Sequence, residues 1–134
     1  MDLKNLTFSM TLTAVISAVS TPLFAKDLLP IDLGTYVQTQ RDCSDPQKSM
    51  PFIYDGDTVK SSKTACSLRN VTNTGNIYRY EEKCSYYHRS WSILPTTTTE
   101  FKTTLEVLNR REFRLKRQHA DSEINDHYRW CAPQ

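Results

Sequence analysis

CSLRNVTNTGNIYRYEEKC, residues 66–84, opens and closes on a cysteine and carries a turn signal, Asn73-Thr74-Gly75-Asn76, at its middle. The residues on either side, TACSLRNV and IYRYEEKC, have the composition of two antiparallel strands. With Thr74-Gly75-Asn76 as a three-residue hairpin loop, opposed residues have numbers summing to 150, which sets Cys66 directly across from Cys84. Directly opposed residues at a non-hydrogen-bonded site have Cα atoms about 4.5 Å apart, within reach of a disulfide. Cys43 and Cys131 are then left to pair with each other. A loop one residue longer or shorter spoils this register and favours the rival pairing, Cys43–Cys66 with Cys84–Cys131.

A staple is the chemistry that the spacing favours. The four cysteines are separated by 22, 17 and 46 residues. Zinc knuckles need close pairs such as C-x-x-C to reach one tetrahedral ion, and dithiol oxidoreductases use the same turn to depress a thiol pKa. Neither pattern occurs. An even cysteine count in a short exported chain reads as a disulfide framework.

Turn signals recur at strand-length intervals. Asp55-Gly56 separates MPFIY from DTVKS, Pro95 and four threonines follow HRSWSIL, and Asn109-Arg110 separates EFKTTLEVL from REFRLKRQ. Between them the residues alternate. Phe101, Thr103, Leu105 and Val107 share a face opposite Lys102, Thr104 and Glu106, and Phe113 and Leu115 oppose Glu112, Arg114 and Lys116. Period-two alternation rich in Tyr, Thr, Val and Ile predicts half-buried antiparallel strands near 34–40, 50–54, 57–61, 64–72, 77–86, 89–94, 100–108, 111–117 and 127–132. The fold class is therefore all-β, a small up-and-down barrel or curled meander stapled by two disulfides. One position disagrees. Glu82 and His88 share the parity of Tyr78, Tyr80, Cys84 and Tyr86, so either that face is partly wet or a bulge shifts the parity between Tyr80 and Cys84.

The first 25 residues, with Lys4, an apolar run from Leu6 to Val19 and Ala25 at a small-residue cleavage position, have the layout of a secretory signal peptide. The run is short for a membrane anchor. The remainder, 26–134, is expected to form a single domain with a modest core and no membrane span, in the periplasm or secreted. It keeps a net charge of +2, too balanced for nucleic acid as a partner. Its charges are segregated, with six Asp against three Lys or Arg over 26–57, and six Lys or Arg against two Glu over 102–117.

Catalytic chemistry finds little purchase. There is no G-x-S-x-G elbow, and the cysteines belong to the framework. Glu81, Glu82 and Glu100 are carboxylates without a diagnostic spacing. HADSEINDH (119–127) gathers His119, Asp121, Glu123, Asp126 and His127 but matches no calcium loop, and reads as a solvated connection before the last strand. No enzyme activity, cofactor or metal is expected. Asn70-Val71-Thr72 is a glycosylation sequon, of consequence only in a eukaryotic host. The richest signal is aromatic and basic: Tyr78-Arg79-Tyr80, Tyr86-Tyr87-His88-Arg89-Ser90-Trp91 and Tyr128-Arg129-Trp130. Tyr, Trp and Arg dominate interface hot spots, though Tyr and Trp also serve as ordinary packing residues of strands. The candidate partner-binding residues are Tyr86, Tyr87, Arg89, Trp91, Arg129 and Trp130.

The outline Gly34-Thr35-Tyr36, Cys43, Cys66, Gly75 to Tyr78, Cys84 and Tyr128 to Cys131 resembles that of small exported four-cysteine bacterial proteins of unknown function. More faintly, G-N-I-Y followed by Trp91 is similar to a stretch of the periplasmic inhibitors of C-type lysozyme, small disulfide-bearing β-barrels. The four-cysteine arrangement and the Tyr-Arg-Trp-Cys end depart from those inhibitors. A small rigid barrel offers little room for chemistry but a firm platform for Tyr, Trp and Arg anchors. The expected function is therefore a binding domain of inhibitor, immunity or accessory type that acts on another exported protein, lysozyme inhibition being one example of that class. The alternative is a small-ligand carrier with the barrel interior as its pocket, in the manner of a lipocalin.

Overall fold

The computed structural model describes residues 27–87 and 97–133. The expected leader, the strand expected over 89–94, and His88, Arg89 and Trp91 lie outside the described residues. Eight strands follow in order: β1 (Gly34–Gln38), β2 (Phe52–Tyr54), β3 (Thr58–Ser61), β4 (Thr64–Thr74), β5 (Ile77–Tyr86), β6 (Thr97–Asn109), β7 (Glu112–His119) and β8 (Ser122–Ala132). Each pairs antiparallel with its neighbour in sequence, and β1 pairs with β8 to close an up-and-down barrel. The only helical element among the described residues is a 3₁₀ turn, Pro46–Ser49, which Asp45 caps.

Both disulfides form as the spacing indicates, Cys66–Cys84 and Cys43–Cys131. The hairpin reaches its register by an unexpected route. Thr74 pairs with Ile77, so the loop is two residues, Gly75-Asn76, with Gly75 at φ +60 in the first position as a II′ turn requires. The numbers there sum to 151. A bulge between Arg69 and Thr72, with Asn70 at φ +54, removes the extra unit, and from Arg69–Glu81 to Thr64–Tyr86 the sum is 150. Cys66 consequently faces Cys84.

Other boundaries shift. Tyr54 pairs with Val59, which moves the turn to Gly56-Asp57, while the Asp55 carboxylate accepts from the Thr58 amide and the Lys60 ammonium. The β6–β7 turn is Arg110-Arg111, and Asn109 Oδ1 accepts from the Arg111 amide at 2.8 Å. Thr97–Thr99 extend β6 rather than forming part of a turn, pairing with Tyr86–Cys84. The expected connection over 119–127 is mostly strand: His119 pairs with Ser122 around Ala120-Asp121, with Ala120 at φ +47.

Inward side chains fill one half of the barrel with rings. Phe113 has its centroid 5.0 Å from Tyr36, 5.0 Å from Phe52 and 5.4 Å from Tyr128. Leu105, Leu115, Leu68 and Val59 complete this core. The end of the barrel at the β2–β3, β4–β5 and β6–β7 turns is plugged by the segment before β1. Leu29 and Ile31 are fully buried in the core, Leu28 N donates to Gly56 O, and the Tyr54 hydroxyl accepts from Leu29 N at 2.9 Å and donates to Gly56 O at 2.6 Å. Asp32 latches the plug: its two carboxylate oxygens bind Arg110 Nε at 2.7 Å and Arg111 Nε at 2.9 Å.

Barrel closure depends on Gly34, which has φ +137. A Cβ there would collide with the Ala132 carbonyl oxygen and stand 2.8 Å from Trp130 Nε1. Gly34→Ala is therefore expected to cost about 3 kcal/mol, from strain plus overpacking, read as a lower urea midpoint. The bonds from Arg111, then Arg110, hold the Asp32 carboxyl below its usual 3.8. A depressed carboxylate contributes stability that is present above 3.8 and lost as the pH falls through the lowered value. In acid titrations followed by near-UV dichroism, Asp32→Asn is expected to flatten this limb while lowering stability at neutral pH.

Candidate functional site

At the end of the barrel opposite the plug the described residues leave a recess. Here the β1–β2, β3–β4 and β7–β8 connections and the adjoining ends of β5 and β6 surround a cup of about 420 Å³. Phe52, Val59, Phe101, Ile124 and Tyr128 line it with Met50 and Pro51, and the Cys66–Cys84 bridge forms part of its wall. Phe52 and Tyr128 belong to the aromatic core as well, so the cup ends on packed rings. The volume lies within the range of small-molecule sites.

Beneath the cup lies a polar layer inside the barrel. β5 pairs with β6 without a bulge from Ile77 to Tyr86, so Tyr80, Glu82 and Cys84 all point inward. Glu82 is completely buried, and Arg117 Nη2, reaching inward from β7, donates to its Oε2 at 2.8 Å. The parity conflict in the sequence is thereby resolved: the face is continuous, and its polar member is neutralised within the barrel. Tyr80, Thr103 and Arg117 form one row across β5, β6 and β7. The Thr103 hydroxyl and Arg117 Nε are buried without a hydrogen-bond partner among the described residues, and the buried Tyr80 phenol lies beside the Glu82 carboxylate. Burial first, then the Glu82 charge, holds the Tyr80 phenol well above its ordinary value. Arg117 also lines the cup, with its guanidinium 5.9 Å from the Phe52 ring, and so connects the buried layer to the open space.

The six candidate partner-binding residues do not form one patch. Tyr86 lines the cup, and Tyr87, bonded through its amide to Lys63 O, follows it at the same rim. Arg89 and Trp91 lie outside the described residues. Arg129 and Trp130 are committed to the frame. Arg129 donates to Arg41 O at 2.8 Å and to Cys43 Sγ, tying down the β1–β2 connection. Trp130 Nε1 donates to Leu33 O above the plug, and the Arg111 guanidinium lies 4.3 Å from its ring centroid.

The groups of 119–127 also separate. His119 Nδ1 bonds with Glu100 O, Glu123 pairs with Lys116, and His127 pairs with Glu112, whereas Asp126 turns into the cup. Among the described residues one set of potential ligand atoms converges, Cys66, Glu82 and Cys84, and both of its sulfurs are in the disulfide. Glu81 accepts from Asn70 at the bulge and Glu100 pairs with Arg69, both on the outer surface. Sequence reasoning missed Arg117 as a site residue. Its inward parity, shared with Phe113 and Leu115, was the available signal, but basic residues outside the core are so common on β7 that the pattern gave it no weight.

Comparison with family models, curated proteins and solved structures finds no match for this chain.

Removing one partner of a buried ion pair leaves the other charge uncompensated, whereas replacing both by apolar groups is often close to neutral. Arg117→Met is expected to lower stability by roughly 3 kcal/mol. The double variant Glu82→Leu/Arg117→Met should recover most of that loss in the same chemical denaturation series.

Proposed function

We propose that this domain is a non-enzymatic binding module that takes a small, largely apolar ligand into the open cup of its barrel. The observation that carries the reading is the asymmetry of the interior. Among the described residues, one end is sealed by Leu29, Ile31 and the Asp32 latch, and the other leaves about 420 Å³ bounded by rings, aliphatic side chains and a disulfide. A rigid, pre-formed apolar recess binds without ordering cost to the protein. The two disulfides suit an oxidising compartment, periplasmic or extracellular. Among the described residues, no helix is long and apolar enough to cross a membrane.

A second reading, the inhibitor, immunity or accessory factor acting on another exported protein, draws support from the rim. Tyr86 and Tyr87 are half-buried at the cup's edge, so a partner loop seated in the mouth would meet aromatic anchors of the kind that dominate interfaces.

Titration with the neutral fluorophore N-phenylnaphthylamine tests the first reading. Saturable enhancement at one equivalent is expected, and Ser61→Trp, which fills the lip of the cup, should weaken it at least tenfold without lowering thermal stability. Absence of saturable binding, or binding indifferent to Ser61→Trp, would leave the rim as the working surface.

A further inference from the structure

Among the described residues, the charges that line the cup do not balance. Lys60, Arg117 and Asp126 are the charged residues of the lining among the described residues. Lys60 is spoken for, its ammonium 2.6 Å from Asp55 Oδ2. Arg117 is spoken for by Glu82 at 2.8 Å. Asp126 has no cation within ion-pair distance among the described residues. Its hydrogen-bond donors among the described residues are neutral, the Gln38 amide, Nε2 to Oδ1 at 2.8 Å, and the Tyr128 phenol. The basic side chains of β7 nearest in register pair outward, Lys116 with Glu123 and Arg114 with Glu106. Among the described residues, the lined space with its partners therefore carries one uncompensated negative charge.

The rest of the wall suits a cation. Phe52, Tyr86, Phe101 and Tyr128 contribute aromatic rings, whose faces attract ammonium groups, more strongly as water is excluded. One cation already lies within reach of such a ring, the Arg117 guanidinium beside Phe52. The Asp126 charge is felt inside the recess. The Tyr128 phenol is pushed up to about 12, by burial first and by Asp126 next.

We propose that the cup binds an organic monocation, an aromatic or aliphatic body bearing an ammonium group that pairs with Asp126 against the ring-lined wall. This rests on the cup being the binding site. A monocation brings the recess to neutrality with Glu82–Arg117 undisturbed, whereas an anion would add a second unpaired negative charge in a space of low dielectric.

Calorimetric titration with three probes of matched body, phenylbutylammonium, phenylbutanol and phenylbutanoate, tests the head-group assignment. The ammonium probe is expected to bind at least tenfold more tightly than the alcohol, with the carboxylate weakest. Asp126→Asn keeps an oxygen for the Gln38 bond, so the fold should persist. It is expected to bring the ammonium probe to the affinity of the alcohol and to leave the alcohol unchanged. Asp126→Glu should retain the preference. Equal binding of alcohol and ammonium, or a preference that survives Asp126→Asn, overturns the cation assignment while the cup stands. Failure of all three probes to bind overturns both.

Discussion

β1 is only five residues long and must satisfy two neighbours at once, Phe52–Tyr54 on one side and Tyr128–Ala132 on the other. Strands β2 to β7 each pair with sequence neighbours on both sides, so the β1–β8 seam is the one long-range pairing in the sheet. It is made under tight constraint. An extra residue in β8 is accommodated at Cys131, between the pairs Thr35–Ala132 and Tyr36–Trp130, and Gly34 lets the Ala132 carbonyl come close. The Tyr36 hydroxyl then reaches Asp32 O at 2.6 Å. The plug, the ring core and the cup exist only because this seam closes. With the sheet open, Leu29 and Ile31 would have no barrel end to fill.

The buried Glu82–Arg117 pair is an expensive way to occupy the interior. Desolvating both ions costs several kcal/mol each, and their attraction offsets this only with good geometry. The single close contact at 2.8 Å, with Arg117 Nε left without a partner among the described residues, is less than full satisfaction. An apolar pair of equal volume would hold the barrel as well. What the ion pair supplies is position: it pins a guanidinium at the boundary between the packed core and the cup, where an aliphatic side chain would collapse into the open space. The disulfide beside it gives that boundary a second rigid element. By chain-entropy reasoning the short bridge contributes about 3 kcal/mol and the long one about 4.5 kcal/mol to stability.

Much of this architecture was legible in the sequence because period-two alternation and cysteine spacing are local signals. The inward rows Phe101–Val107 and Phe113–Leu115 were read directly. The Cys66–Cys84 opposition was reached through two displacements that cancel, a loop one residue shorter and a bulge at Asn70. Turn residues proved less legible, since Gly56 and Arg110 were identified as turn residues but assigned one place late in the turn. Strand pairing, not residue preference, decides which pair occupies the tip. The β7–β8 turn carries no glycine, and Ala120 adopts a positive φ because the flanking pairs impose it. The plug has no periodicity, so its role depends on partners such as Arg110, 78 residues away. The Glu82–Arg117 pair crosses the barrel, and spacing along one chain does not reveal such a partnership.

The Cys43–Cys131 bridge fastens the β1–β2 connection to the last strand, and Arg129 reinforces the same junction. Its consequence extends to encounters between molecules. A closed barrel presents no strand edge, whereas a barrel parted at its seam presents two, and the β8 edge runs eleven residues from Ser122 to Ala132. Such an edge is a template for another chain. The bridge thus keeps the two edges tethered: as long as it holds, β1 cannot leave the neighbourhood of β8, which favours reclosure over pairing with a second molecule. In a reducing environment, the same loosening becomes a concentration-dependent route to aggregation.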